Sequence, residues 1–289
     1  MNLINTYMAP QEQSVVKALL GYTVSLVWAF GIAFFYGVIM AFSPLIYVNY
    51  FITLAFGLIL GYGVRFTTTL FKITHKSTAI GMAVACSAFG LIFSWAAYVI
   101  YFLEEGSIVS AYFIELKVVK DPGFLIDVIL DINKNGLWEI FGITFTGWIL
   151  TIIWLAEAGI IITLCTLMVK NQTQSPFSIN LNKWYKRFIL EKDFESIAMK
   201  EAFKESLATD CVKTIDSLQN GLAFHFSRIS VFYLAKEERQ YIMVENVRKD
   251  RRGKSENSTE VIPLIVVSSE QAAILIEKYH ATTPGIFDY

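Results

Sequence analysis

Glu157 is the residue whose type and position most invite chemistry. It is the only Asp, Glu, Lys or Arg in the interior of four long apolar runs. A charged side chain at the centre of a lipid-spanning helix costs about 2.5–3.5 kcal/mol even on the lenient insertion scale. Two roles fit it. As a titratable group, Glu157 would load and release a proton in a proton-coupled carrier or an oligomeric channel. As a structural group, it would hydrogen-bond Ser87, Ser94 or Tyr98 of the preceding apolar run, with Trp154, one turn earlier on the same face, packed beside it. No second ionisable group lies within the runs to continue a proton relay. Arg65 and Lys72, at one edge, would serve only as an exit.

Other constellations are weaker. Asp131-Ile132-Asn133-Lys134-Asn135-Gly136 matches the first half of a calcium loop, in which alternate oxygens converge on the ion and glycine permits the turn. The twelfth position, where a bidentate carboxylate belongs, is Gly142, although Glu139 stands at the ninth. Asn-Gly is also a common turn dipeptide, so a plain turn is the simpler reading. Gly253-Lys254-Ser255 resembles the end of a phosphate loop, but Arg248 occupies the position of the required first glycine. His75, His225 and His280 share no ligand spacing with any Cys or acid, and no G-x-S-x-G, H-E-x-x-H or G-x-G-x-x-G occurs. An enzyme is therefore unsupported, and no cofactor or metal is expected.

The elements that position Glu157 follow from hydropathy. Of 289 residues, 55% are apolar and the mean hydropathy is +0.50, above the roughly 45–50% of soluble domains. Ala18 to Val64 contains no Asp, Glu, Lys or Arg, and neither does Ser77 to Leu103. About 20 helical residues cross a bilayer, which predicts an α-helical membrane bundle with four transmembrane helices over about 19–42, 46–64, 79–103 and 144–169, joined by an outward segment at 104–143. Ser43-Pro44 ends the first helix, without a small-x-small cleavage site, so this segment reads as a permanent anchor rather than a signal peptide.

Charge sets the expected orientation. Arg65, Lys72 and Lys76 fall between the second and third runs, whereas Glu104 to Glu139 carries seven acids against three lysines. Both termini are therefore expected in the cytoplasm. The three cysteines are scattered, which implies no disulfide framework. In the cytoplasm the formal glycosylation acceptors at Asn171 and Asn257 carry no meaning. Within the outward segment, Phe124 to Ile132 predicts a short helix on the outer membrane surface, with Trp138 and Trp148 at the interface.

Gly21, Ser25, Ala29, Ala33, Gly37 and Ala41 recur at unbroken four-residue spacing, a smooth track on which another backbone can lie. Gly57 and Gly61 add a second track, and Gly81, Ala85, Cys86 and Gly90 a third. Packing within the chain is favoured over a seam between copies, although the pattern serves both.

Residues 170–183 read as a linker and 184–289 as a small cytoplasmic α+β domain, nearly balanced in acids and bases. Asp193 to Leu218 is expected to be helical. Strands are expected at Phe224 to Leu234, Gln240 to Arg248 and Glu260 to Val267, then a closing helix at Ser268 to Tyr279 capped by Ser268 or Ser269. Arg248, Lys249, Arg251, Arg252 and Lys254 would touch anionic lipid or an acidic partner, or else form a solvated hairpin loop beside Glu256, Asn257 and Ser258. No nucleic-acid partner is expected.

Pro44-Leu45-Ile46-Tyr47-Val48-Asn49, the glycine-rich second run, the Gly90 to Tyr98 pattern and Trp154-Leu155-Ala156-Glu157-Ala158 resemble an uncharacterised family of bacterial four-helix membrane proteins, mainly from Bacteroidota. The resemblance spans roughly residues 44–184. Its members also carry Pro-Phe, a Cys-x-x-Cys pair and Asn-x-Trp after the last helix; here Pro176-Phe177 and Asn182-Lys183-Trp184 remain, while Ser178 and Leu181 occupy the cysteine positions. The resemblance implies a multi-pass bacterial inner-membrane protein with a cytoplasmic tail, and no mechanism. Together these readings lead to a non-enzymatic membrane subunit or scaffold whose tail binds a partner in an envelope or secretion complex, with membrane lipids, other complex subunits and copies of itself in a homo-oligomer as the expected contacts. The alternative is a proton-coupled transporter or oligomeric channel built on Glu157.

Overall fold

The computed structural model describes residues 7, 14–43, 46–103, 122–136, 139–140, 143–250 and 256–285. The chain divides into two compact units, one formed by residues 13–173 and one by residues 174–289 together with Tyr7.

The first unit is helical. Its long helices are α1 (Val15–Phe42), α2 (Ile46–Leu70), α3 (Lys76–Leu103) and, after the shorter α4 (Pro122–Asn135), α5 (Gly147–Thr173). All four are long and apolar enough to cross a membrane. The second helix overruns the expected end at residue 64 by more than a turn. Thr67 and Thr69 make this possible by returning their hydroxyls to the Gly63 and Arg65 carbonyls at 2.8 and 2.9 Å, so polar residues continue the helix without losing hydrogen bonds. Arg65 is thus helical rather than part of a loop. The fourth long helix likewise runs to Thr173, into the expected linker.

Close approaches reveal the pairing. Gly21 lies against Met82, the Cys86 thiol points to the Ser25 carbonyl at 3.5 Å, and Gly37 lies against Ser94 and Ala97, so α1 and α3 run parallel. Gly57 meets Ile161 and Gly61 meets Cys165, so α2 and α5 are also parallel. The small-residue track of α1 is covered by α3 within the chain: Gly21, Ser25, Ala29, Ala33 and Gly37 are buried, and Ala41, near the helix end, is half-buried.

Helix α4 packs Leu125, with Val128, Ile129 and Ile132 around it, against Phe34, Val38, Ala96 and Ala97. Phe124, Ile126 and Leu130 remain exposed. Asn133 Nδ2 donates to the Gly147 carbonyl and to Thr151 Oγ1 at 3.0 and 2.9 Å, fastening α4 to the start of α5. The calcium-loop reading fails here. Asp131 to Asn135 are helical, Asn135 donates to Asp131 at 2.9 Å across one turn, and Gly136 closes the helix at φ +80°. Oxygens spaced two apart on a helix diverge and do not converge on an ion. A two-residue pairing of β1 (Glu139–Ile140) with β2 (Ile143–Thr144) follows. Of the expected outward segment, residues 104–121 and Trp138 lie outside the described residues.

The second unit begins with a hairpin of β3 (Phe177–Ser178) and β4 (Lys183–Trp184), in what the sequence suggests is a linker. A four-stranded antiparallel sheet follows in the order β5 (Lys186–Ile189), β6 (His225–Tyr233), β7 (Arg239–Lys249), β8 (Glu256–Ser268). Instead of one helix over 193–218, α6 (Lys200–Thr209) and α7 (Cys211–Asp216) meet at Asp210, which caps α7 through the Lys213 amide. The last helix, α8 (Ser269–Lys278), opens on a capping box between Ser268 and Gln271.

One sheet face sends Ile229, Val231, Ile242 and Val244 into a core with Leu207, Ile215, Ala272 and Leu275 of the three helices. The other carries a polar cluster in which Arg187 donates to Ser230 at 3.1 Å and pairs with Glu245 at 2.8 Å. Tyr7 joins this unit. Its amide donates to the Leu264 carbonyl at 2.9 Å, its hydroxyl accepts from the Phe177 amide at 3.1 Å, and its ring packs edge-on against Tyr241.

A candidate carboxylate site inside the helical bundle

Glu157 is ten positions into α5, about 15 Å from its start at 1.5 Å per residue. Opposite it stands Tyr36, six positions before the end of α1, or about 9 Å. The Tyr36 hydroxyl donates to Glu157 Oε1. The same phenol oxygen lies 3.0 Å from Thr53 Oγ1 of α2, and Thr53 in turn reaches the Asn49 carbonyl at 2.9 Å. A stacked Phe56, with ring centroids 4.1 Å apart, holds the Tyr36 ring in place. The Asn49 amide oxygen is buried and has no hydrogen-bond partner among the described residues.

The series Glu157, Tyr36, Thr53, Asn49 ends on a carbonyl, which only accepts. Three oxygen-to-oxygen contacts in a row need three protons, and the two hydroxyls bring two. A protonated carboxyl completes the series by donating to the phenol, which turns the Tyr36 hydroxyl toward Thr53; an ionised carboxylate accepts from Tyr36 and leaves Thr53 choosing between the phenol oxygen and the Asn49 carbonyl. The arrangement therefore registers whether Glu157 carries a proton.

A cavity of about 40 Å³ adjoins this carboxyl. By the ~10–15 Å³ that one water occupies on this measure, it has room for about three water-sized groups. Tyr36, Trp95, Tyr98, Trp154 and Glu157 line it, with Ser94 and Leu150. Trp95 packs edge-on against both Trp154 and Tyr98, at 4.8 and 5.8 Å between centroids. No Lys, Arg, His or second acid is among the described lining residues.

Trp154 thus stands beside Glu157 on the same cavity, as their spacing suggests. The carboxyl's hydrogen-bond partner differs from expectation. Ser87 and Ser94 return their hydroxyls to Ala83 and Leu91 of their own helix at 2.8 and 2.9 Å, while Tyr98 lines the same cavity as Glu157. The partner is Tyr36, on α1. Tyrosine counts among apolar or interfacial residues in a hydropathy reading, and nothing in the spacing of α1 tells which helix its phenol reaches. Asn49 and Thr53, one turn apart in α2, were the available signal of a polar patch at that level.

Gly57 and Gly61 let α5 approach α2, a Cβ at either meeting α5 backbone at 3.1–3.2 Å. At the far end of the same helix pair, Arg65 Nε donates to Gln172 Oε1 at 2.9 Å, and Gln172 Nε2 donates to Thr69 at 2.9 Å. Of the basic cluster, Arg248 is exposed with Nε 3.5 Å from the His225 ring, and Lys249 lies over the Phe226 ring at 4.8 Å. Arg251, Arg252 and Lys254 lie outside the described residues. The chain matches no protein-family model, no curated protein and no solved structure.

Proposed function

We propose that the chain is a multi-pass membrane subunit of the bacterial inner membrane, a non-enzymatic anchor whose C-terminal α+β domain binds a partner in a multi-component envelope complex. One observation carries this reading: the polar groups inside the bundle join helix to helix. Tyr36 links α1 to α5 and α2, Gln172 links α5 to α2, and the small-residue track of α1 is spent on α3. Conducting paths need a continuous polar lining instead. The positive-inside rule applied to Arg65, Lys72 and Lys76 puts both termini in the cytoplasm, where the domain would meet its partner. The resemblance to four-helix bacterial membrane proteins agrees with this location.

Mild-detergent affinity purification of the tagged chain from its native cells tests the reading, with co-purifying proteins identified by mass spectrometry. Stoichiometric partners that disappear when residues 176–289 are deleted are expected. A partner-free particle would sink it.

A second reading, proton-coupled transport, is favoured by the cavity beside Glu157 and by the proton-dependent hydrogen-bond series there. Proton flux in liposomes that Glu157→Gln abolishes would be its signature.

A further inference from the structure

We propose that the cavity beside Glu157 binds a methylated ammonium headgroup. The proposal depends on the bundle geometry alone and holds whether the chain anchors a complex or moves a solute.

The argument starts from charge. A carboxylate inside an apolar bundle is stable only when neutralised, by a proton or by a cation. Among the described residues the cavity lining offers no Lys, Arg or His for that purpose, and the titratable groups facing Glu157 are the phenols of Tyr36 and Tyr98. None of the described residues neutralises the ionised carboxylate, which leaves that role to a cation bound in the cavity.

The lining selects the kind of cation. Alkali and alkaline-earth ions need about six or more oxygen ligands to replace their water, and here only one carboxyl, one serine and two phenols are at hand. What the cavity supplies in quantity is aromatic surface, from Trp95, Trp154, Tyr98 and Tyr36. Aromatic faces attract cations that shed water readily, and cages of this composition suit methylated ammonium groups, whose charge is spread over apolar methyls. Packing restrains the rings before any ligand arrives, because Trp95 is held edge-on by Trp154 and Tyr98 and Tyr36 is stacked on Phe56. Space for about three water-sized groups takes up the methyls that face the rings and the carboxyl, with the rest of the headgroup and of the molecule left at the opening. Tyr36 completes the site by fixing Oε1 of the carboxyl. The cavity lies about 9–15 Å below the end of the bundle where α1 finishes and α5 begins, within reach of a short-tailed solute.

Equilibrium dialysis of purified full-length protein against labelled choline tests the assignment. Saturable binding is expected, competed by tetramethylammonium and at least roughly tenfold less by the neutral isostere in which carbon replaces nitrogen. Glu157→Gln and Trp154→Leu should each weaken binding at least roughly tenfold, whereas Ile152→Ala, on the exposed side of α5, should not change it. Absent saturation, equal competition by the neutral isostere, or equal competition by sodium or potassium overturns the proposal in the wild-type protein, whatever the variants do. Wild-type affinity in a monodisperse Glu157→Gln variant overturns it as well.

Discussion

Tyr36 and Glu157, 121 residues apart, are joined by a hydrogen bond from the phenol to the carboxyl, and the same phenol oxygen holds Thr53 at 3.0 Å. One side chain of α1 thereby ties together α2 and α5. Tyr36→Phe keeps the ring stacked on Phe56 and removes both contacts, leaving a buried carboxyl and a buried hydroxyl without their partner. A loss of about 1–3 kcal/mol in bundle stability is expected, read by denaturing-detergent titration. Glu157→Gln retains an acceptor for Tyr36 and should cost less. A larger loss for Glu157→Gln than for Tyr36→Phe would mean that the phenol is not the main partner.

Glycines of α1 should respond unequally to alanine. At Gly37 an added Cβ would lie 2.4 Å from the Ser94 carbonyl, whereas at Gly31 nothing lies within 4 Å. Gly37→Ala forces α1 away from α3 backbone and should lower the melting temperature measurably. Gly31→Ala should leave it unchanged or raise it, since alanine is favoured over glycine in a helix by up to about 1 kcal/mol. Equal effects at the two positions would mean that α3 does not lie on this face.

Gly63 tests a different contact, in which Trp28 Nε1 donates to the Ile59 carbonyl at 3.1 Å across the Gly63 surface. A Cβ there would stand 2.0 Å from the indole nitrogen, so Gly63→Ala should displace the ring, break its hydrogen bond and shift tryptophan emission. In a Trp28→Phe background the same substitution should produce no such spectral change.

Arg187 and Glu245, paired at 2.8 Å with 7% and 17% of their side chains exposed, form the most buried ion pair described. Arg187→Met removes the cation paired with Glu245 and the donor to Ser230 and should cost about 3 kcal/mol, toward the low end for breaking a buried pair. Replacing both, as Arg187→Met with Glu245→Leu, should recover most of that loss, because two desolvated charges are removed together. Denaturant melts of the three variants decide it; a double variant as unstable as the single would show that the charges themselves stabilise the sheet.

The acid limb of domain stability should depend on Asp216. Lys278 Nζ and the Tyr279 hydroxyl, both at 2.7 Å, hold its carboxyl below the usual carboxylate range. A depressed folded-state value adds stability above the unfolded value of about 4, which is lost as pH falls through the lower folded value. The pair is largely exposed and screened, so the contribution is under about 1 kcal/mol. Asp216→Asn should lower the melting temperature slightly at neutral pH and converge on the wild-type value in acid, which flattens the fall below about pH 4. An unchanged acid limb would move the effect to other carboxylates.

Much of this architecture is legible in the sequence, because lipid-length apolar runs and period-two strands are local signals. The four long helices, β6 to β8 and the Ser268 cap follow from such signals. Lys186–Ile189 escaped because four residues, two of them basic, look like surface chain until β6 is there to pair with them. Asp210 split an expected single helix because its side chain caps the second half. At the site, Glu157 and Trp154 stood out by charge and spacing. Tyr36, Thr53 and Trp95 did not, because which helices face each other is a tertiary fact that no periodicity within one helix contains.

The docking of Tyr7 on Phe177 and Leu264 carries a consequence in time. Tyr7 leaves the ribosome 170 residues ahead of Phe177, and at about 5–20 residues per second its receptor does not exist for on the order of ten seconds or more. During that interval all four long helices are synthesised. Tyr7 must wait through the making of the bundle and pairs with β8 last, so its docking reports that translation has reached the sheet and that the sheet has folded.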